Sequence, residues 1–528
     1  MEALDWLVIG VFFLALIGII VWVVRQKQND SADYFLGGRD ATWLAIGASI
    51  FASNIGSEHL IGLAGAGASS GMAMAHWEIQ GWMILILGWV FVPFYSRSMV
   101  YTMPEFLERR YNPQSRTILS VISLISYVLT KVAVTVYAGG LVFQQVFGIK
   151  ELWGIDFFWI AAIGLVVLTA LYTIFGGMKS VLYTSVLQTP ILLLGSLIIL
   201  VLGFKELGGW DEMMSICSAV TVNEYGDTMT QLIRDNNDPN FPWLGALVGS
   251  AIIGFWYWCT DQFIVQRVLS GKNEKEARRG TIFGAYLKLL PVFLFLIPGM
   301  IAFALHQKYI GAGGEGFLPL LANGTANADA AFPTLVAKLL PAGVKGLVVC
   351  GILAALMSSL ASLFNSSAML FTIDFYKRFK PETPEKKLVG IGQIATVVIV
   401  ILGILWIPIM RSVGDVLYTY LQDVQSVLAP GIAAAFLLGI CWKRTSAKGG
   451  MWGLIAGMII GLTRLGAKVY YSNTAITDSS MFKYLFYDLN WLFFCGWMFL
   501  FCIIVVIAVS LMTEVPSAEK IQGLVFGT

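Results

Sequence analysis

Residues 47–67 read GASIFASNIGSEHLIGLAGAG. The stretch is apolar enough to enter a bilayer, yet Gly, Ser, Asn, Glu and His stand where a plain spanning helix carries Leu and Val. At membrane depth such residues let helices approach closely, or free backbone carbonyls to line a cavity. A second stretch, GALVGSAIIGFWYWCTDQFIVQ (245–266), has the same character, with Asp261 near its inner end. Two interrupted helices in separated parts of a many-span protein are the sequence pointer to a secondary transporter's binding site.

The rest of the chain supplies the spans. Of 528 residues, 57% are hydrophobic and 12% charged, with a mean hydropathy of +0.76. Soluble domains carry about 25% charged residues, so this is an integral membrane protein. A crossing takes about 20 residues, and thirteen stretches qualify, near 5–24, 43–66, 75–95, 117–147, 155–175, 182–204, 243–265, 281–305, 335–375, 388–410, 416–441, 449–468 and 485–511. MEALDW, before the first, lacks a basic n-region and reads as the start of a retained helix. With the N-terminus outside, the inner loops and tail hold 22 of the 34 Lys and Arg residues, as positive-inside sorting requires. The six cysteines are scattered, with no disulfide or zinc spacing.

Spans two to six and seven to eleven lie over each other as two five-helix halves, each opening with an interrupted stretch. An odd number of helices inverts the second half, which gives an inverted repeat. The expected division is a peripheral first helix in 1–30, a ten-helix core in 31–442, and two peripheral helices with a cytoplasmic tail in 443–528. The segment 333–378 is too long for one straight crossing and reads as an amphipathic piece followed by a span.

Intramembrane polar groups are costly, and each is a functional candidate. Glu78, in AHWEIQGW, suits two hydroxyls of a polyol; the plain alternative is a group facing outer water. Lys288, in AYLKLLPVF, is a lone cation for which snorkelling is the alternative. Gln422, in YTYLQDVQS, offers the donor and acceptor that a sugar hydroxyl requires, or a bond between helices. Asn54 and His59 flank the suspected first break. Phe255, Trp256, Tyr257 and Trp258 form either an interfacial belt or a face that stacks on a sugar ring. Asp261 and Arg267 make an inner gate pair, or Arg267 anchors at headgroups; Lys131 reads as structural. For a sodium ion, unwound carbonyls near Ala52 and Ile55 supply oxygens. The run AALMSSLASLFNSS (354–367) adds the hydroxyls of Ser358 and Ser359 one turn after the Ala355 carbonyl. The alternative for these serines is bonding to their own helix.

At these residues the chain resembles the sodium–glucose symporters of the sodium:solute symporter family. The strings that carry the resemblance are ASIFASNIGSEHLIGLAGAG, GWVFVPFYSRSMVYTMPEFLERRY, ALYTIFGGMKSVLYTSVLQT, FWYWCTDQFIVQRVLSGKN, YLKLLPVF, LMSSLASLFNSSAMLFTIDFYKRF and GIAAAFLLGICWKR, spread over about 31–520. The resemblance implies an all-α LeuT-type fold in the plasma (inner) membrane and sodium-driven uptake of a hexose by alternating access. It places sugar contacts at Asn54, His59, Glu78, Tyr257, Trp258, Lys288 and Gln422. Sodium ligands fall at Ala52, Ile55, Ala355, Ser358 and Ser359, an outer lid at Leu63, Trp77 and Tyr418, and an inner gate at Tyr257 with Asn54 as its hydrogen-bond partner. The implied partners are a small sugar, sodium and membrane lipid, with no nucleic acid.

Three departures stand out. Tyr183-Thr184-Ser185 replaces the family's usual Tyr-Thr-Asp, which removes support for a second sodium. Gly254 stands where a residue with a polar side chain commonly meets the sugar. The chain ends at LVFGT without the further span of many relatives. Competing readings are a symporter for another polyol such as myo-inositol, a sugar-gated sensor with little transport, and the membrane half of a signalling protein, against which the short tail after Met512 argues. No nucleophile–base set or metal cluster points to an enzyme.

Overall fold

The computed structural model describes residues 1–26, 30–56, 58–321, 324–413, 417–472 and 480–528; at 129, 130, 145, 409–413, 417–423 and 472 it describes the backbone alone. Among these residues the chain is helical except for loops and one antiparallel pair of two-residue strands, Glu151–Leu152 and Ile155–Asp156. Among the described residues, ten helical runs are long and apolar enough to cross a membrane. Among the described residues each of the thirteen expected stretches is mainly helical, and some crossings are joined by kinks. The helix Phe157–Leu207 turns at Gly177, and the run Glu58–Ser98 turns at Gly71. The fourth stretch is helical throughout, in pieces Pro113–Ser126, Tyr127–Val132 and Ala133–Phe147. The segment 333–378 divides as expected into a short helix, Ala331–Leu339, and the deeply buried Val344–Met369 with its continuation.

Both interruptions are present. Trp43–Asn54 stops at Ile55, which is extended (φ −77°, ψ 98°), and helix resumes at Glu58 in a wide, π-type turn. Trp243–Gly254 runs into a wide turn, Phe255–Thr260, and breaks at Asp261 (φ −75°, ψ 128°) before Gln262–Leu269. The Asp261 side chain accepts from Phe263 N at 3.2 Å, so it caps the helix that its own backbone interrupts.

Small residues set the packing around the first break. A Cβ on Gly47 would lie 2.8 Å from the Gly280 carbonyl oxygen, and one on Gly280 2.8 Å from that of Trp43. Only glycine lets Trp43–Asn54 and Glu274–Leu287 approach so closely, and the second of these helices delivers Lys288 at its C-terminus. At the membrane-flanking end, Asp5 is buried, and its Oδ1 accepts from Gly343 N (2.7 Å) and Gly346 N (2.8 Å), which ties the first helix to the start of Val344–Met369.

Gly177 has φ 52° and ψ −149°, a conformation close to glycine-only, and a Cβ there would collide with the Tyr34 carbonyl. Gly177→Ala is expected to cost about 1–3 kcal/mol in backbone strain alone and to lower the melting temperature in detergent. An unchanged temperature in a thermal-shift series would show that the kink is not required.

Candidate functional site

Three side chains from three helices meet in one buried place. Glu78 is 1% exposed, Lys288 4% and His59 4%. Lys288 Nζ lies 2.6 Å from Glu78 Oε2 and 2.8 Å from His59 Nε2, and Glu78 Oε1 lies 3.2 Å from His59 Nε2. His59 Nε2 thus faces both the ammonium and the carboxylate, and its Nδ1 has no protein partner. The burial of Glu78 overturns its reading as a group facing outer water. The pairing of Lys288 at 4% exposure likewise removes the snorkelling alternative.

This triad forms one wall of a narrow cavity that is partly open to solvent. Asn54, Tyr257, Trp258, Leu63 and Trp77 also line it. Asn54 Nδ2 donates to Tyr257 Oη at 3.0 Å, the hydrogen bond that the resemblance implies, while Asn54 Oδ1 has no partner. Trp77 stands edge-on to Trp491, 5.6 Å away, at the start of the last long helix. The side chains of Gln422 and Tyr418 lie outside the described residues. Their helix, Leu417–Cys441, contributes Gln425 to the cavity instead, one helical turn from 422.

Glu58, Gln80 and Gln425 line the cavity and were not anticipated. In a straight helix Gln80 points away from Glu78, two residues earlier. The backbone turns a corner at Gln80 (φ −55°, ψ −5°), between Ala75–Ile79 and Gly81–Ile86, and brings both side chains to one cavity. The pattern of apolar residues carries no sign of that corner. Gln425 did carry a signal, its i,i+3 spacing from Gln422.

The expected cation ligands lie across the first break. Ser359 Oγ donates to Ser53 O at 2.7 Å and lies 3.5 Å from Ile55 O; Ser358 Oγ lies 3.3 Å from Ser185 Oγ. Ala52 and Ala355 are buried in the same two helices. A further hydroxyl pair, Ser53 Oγ and Ser362 Oγ, is 2.7 Å apart. The Ser53 carbonyl was not expected. It enters because the helix ends one residue before Ile55 and leaves its last carbonyls unpaired by the ladder. The neutral hydroxyls and carbonyls form a donor set that fits sodium, and Ser185 sits beside it as a further neutral group.

The Asp261–Arg267 pair is not formed. Asp261 pairs with Lys131 at 2.8 Å and accepts from Tyr127 Oη. Arg267 is fully buried, and its Nε donates to Ser53 Oγ at 3.0 Å, so the headgroup-anchor alternative fails too. The break at Asp261 turns the carboxylate toward the fourth span, which the spacing to Arg267 cannot foretell.

A model of the sodium:solute symporter family matches residues 34–457. The Mus musculus sodium/myo-inositol cotransporter 2 is 38% identical over 542 aligned residues, covering 100% of this chain and 80% of that protein. This chain belongs to the sodium:solute symporter family. The Danio rerio sodium/glucose cotransporter 4 is 35% identical, covering 98% of this chain and 80% of that protein. Among solved structures, a Na+-coupled sialic acid symporter in a substrate-bound outward-open state has a TM-score of 0.77 at 21% identity, over 98% of this chain and 99% of that one. A nucleobase–cation symporter in a closed conformation has a TM-score of 0.52 at 14% identity, over 94% and 98%. The fold is that of the LeuT-type sodium symporters, and the chain is a multi-pass membrane protein that couples solute transport to sodium, not an enzyme.

Breaking a buried ion pair from one side leaves an uncompensated charge and costs about 3–5 kcal/mol. Lys288→Met is therefore expected to destabilise the protein strongly, and Glu78→Gln with Lys288→Met to recover most of the loss. Melting temperatures of the two variants decide this; a double variant no more stable than the single would refute the pairing.

Proposed function

We propose that the transported solute is a ring polyol, a hexose or a cyclitol of the myo-inositol type, taken up with one sodium ion. The observation that carries this reading is the triad of Glu78, Lys288 and His59 in a cavity that Tyr257 and Trp258 also line. A carboxylate, an ammonium and an imidazole N–H side by side can bridge neighbouring hydroxyls, and aromatic faces suit the C–H face of a saturated ring. The relatives named above include a myo-inositol and a glucose cotransporter, so both solute types fit. In this reading Asn54, His59, Glu78, Tyr257, Trp258, Lys288 and Gln422 contact the solute. Leu63, Trp77 and Tyr418 close over it, and Ala52, Ile55, Ala355, Ser358 and Ser359 hold the ion.

Residues 31–442 are the moving core, flanked by 1–30 and 443–528, in the plasma membrane. The excess of Lys and Arg on one side of the spans supports an outside N-terminus. Coupling follows from position. The ion site straddles the break at Ile55, and Asn54 and His59 stand on either side of that break. An ion that fixes the unwound backbone also fixes two solute contacts, which makes the two ligands bind cooperatively.

Uptake of labelled myo-inositol, D-glucose and D-galactose into proteoliposomes, with and without an inward sodium gradient, tests the reading. Sodium-dependent accumulation of at least one is expected; binding without uptake would favour the sensor, and neither would refute the polyol site. Ser359→Ala removes one ion ligand, at about 1–3 kcal/mol, and should raise the half-saturating sodium concentration while leaving solute selectivity alone. Ser185 is neutral, and no cluster of three acidic, His or Cys side chains exists among the described residues to hold a second ion. One sodium moving through 100 mV contributes about 2.3 kcal/mol. Reversal potentials should therefore report one sodium per solute, and a ratio of two would overturn the argument from Ser185.

A further inference from the structure

Gln80 stands in the cavity wall without a role in the reading above. It is 4% exposed, and its Nε2 has no hydrogen-bond partner. A buried amide left unpaired costs about 1–3 kcal/mol, so the fold holds this group in place against a penalty. What admits it is a glycine. A Cβ on Gly254 would fall 2.7 Å from Gln80 Oε1 and 3.2 Å from Met83 Cγ, so a larger residue there displaces the amide. Gly254 has ordinary helical angles (φ −61°, ψ −40°), and its backbone does not need glycine. Glycine inside a helix is itself unfavourable by about 1 kcal/mol relative to alanine. Two locally unfavourable choices thus coincide at one spot of the cavity, and together they present a free amide to whatever fills it.

We infer that Gln80 contacts the transported polyol directly, in a subsite that Gly254 keeps open, and that it reads a hydroxyl not held by Glu78 and Lys288. The inference rests on the polyol reading of the cavity. A hydroxyl both donates and accepts, and an amide is a neutral side chain that answers both at once. Gln80 is in this sense a specificity-determining residue, and Gly254 is a positioning residue that acts through it.

The test uses the full chain in proteoliposomes as wild type, Gln80→Met and Gly254→Ala. Uptake of D-glucose or myo-inositol, whichever the wild type carries, is competed with the full set of its monodeoxy analogues. Gln80→Met keeps the length of the side chain and removes the amide. KM for the parent solute is expected to rise about tenfold, with half-saturating sodium unchanged at saturating solute. One monodeoxy analogue should compete as well in the variant as in the wild type, while the others lose as the parent does. Gly254→Ala should give the same signature, because its methyl group pushes the amide aside, and it decides the matter if Gln80→Met does not fold. If every analogue shifts together, or none shifts, Gln80 is a packing residue and the inference is overturned. If the wild type takes up no ring polyol, the polyol reading fails, visibly in the wild type alone, and the inference falls with it.

Discussion

The buried ion pair of Glu78 and Lys288, 2.6 Å apart, constrains the rest of the site. Taking either charge out of water costs several kcal/mol, and the loss is recovered only at close range and with the remaining lone pairs and protons satisfied. That requirement fixes the helix end at Lys288 against the short helix Ala75–Ile79 and draws His59 from the first broken helix into the same contact. The close glycine packing of 47 against 280 is what makes the approach sterically feasible. Once paired, the charges still leave hydrogen-bonding capacity facing the cavity. His59 Nδ1 and Asn54 Oδ1 are left there without protein partners.

The proposed cation site works on the opposite principle. It has no formal charge, and its groups are hydroxyls and the carbonyls that the break at Ile55 frees. In the apolar interior a carboxylate cage would hold sodium too firmly for release at each cycle, whereas neutral oxygens attract the ion without trapping it. The Ser359 hydroxyl bonds to the Ser53 carbonyl, so the ion competes with an existing hydrogen bond and does not fill a preformed void. The free energy available from ion binding is therefore moderate, which suits a step that must reverse.

Much of this was legible in the residues. Both interruptions were visible because Gly, Ser, Asn and Asp have no reason to sit at membrane depth unless backbone or side-chain polarity is used there. Glu78, Lys288 and His59 were visible for the same reason. The bond from Asn54 to Tyr257 was implied by the family resemblance, not by spacing. The partners of Asp261 and Arg267 were not legible. A break in the backbone reorients one carboxylate by more than helical periodicity allows, so Asp261 meets Lys131, 130 residues away, and Arg267 is left with a serine. Gln80 was hidden by a corner of a single residue, and the Ser53 carbonyl by a one-residue shift in where the helix stops.

A second layer of polar contacts lies beside Tyr257, the residue proposed as an inner gate. Lys131 Nζ sits 4.4 Å from the centre of the Tyr257 ring and 2.8 Å from Asp261. The bond between Asn54 and Tyr257 joins neutral groups and contributes about 1 kcal/mol net. Parting Lys131 from Asp261 inside the protein would strand two charges, at a much larger cost. That cost disappears if water enters as the helices separate, since each charge then regains its hydration. The two layers thus differ in kind: the neutral bond yields to thermal motion, and the ion pair yields only to a movement large enough to admit water. In the proposed gating role of Tyr257, such an arrangement would resist leaking during small fluctuations and open only in a concerted step, so that solute and ion would not escape separately.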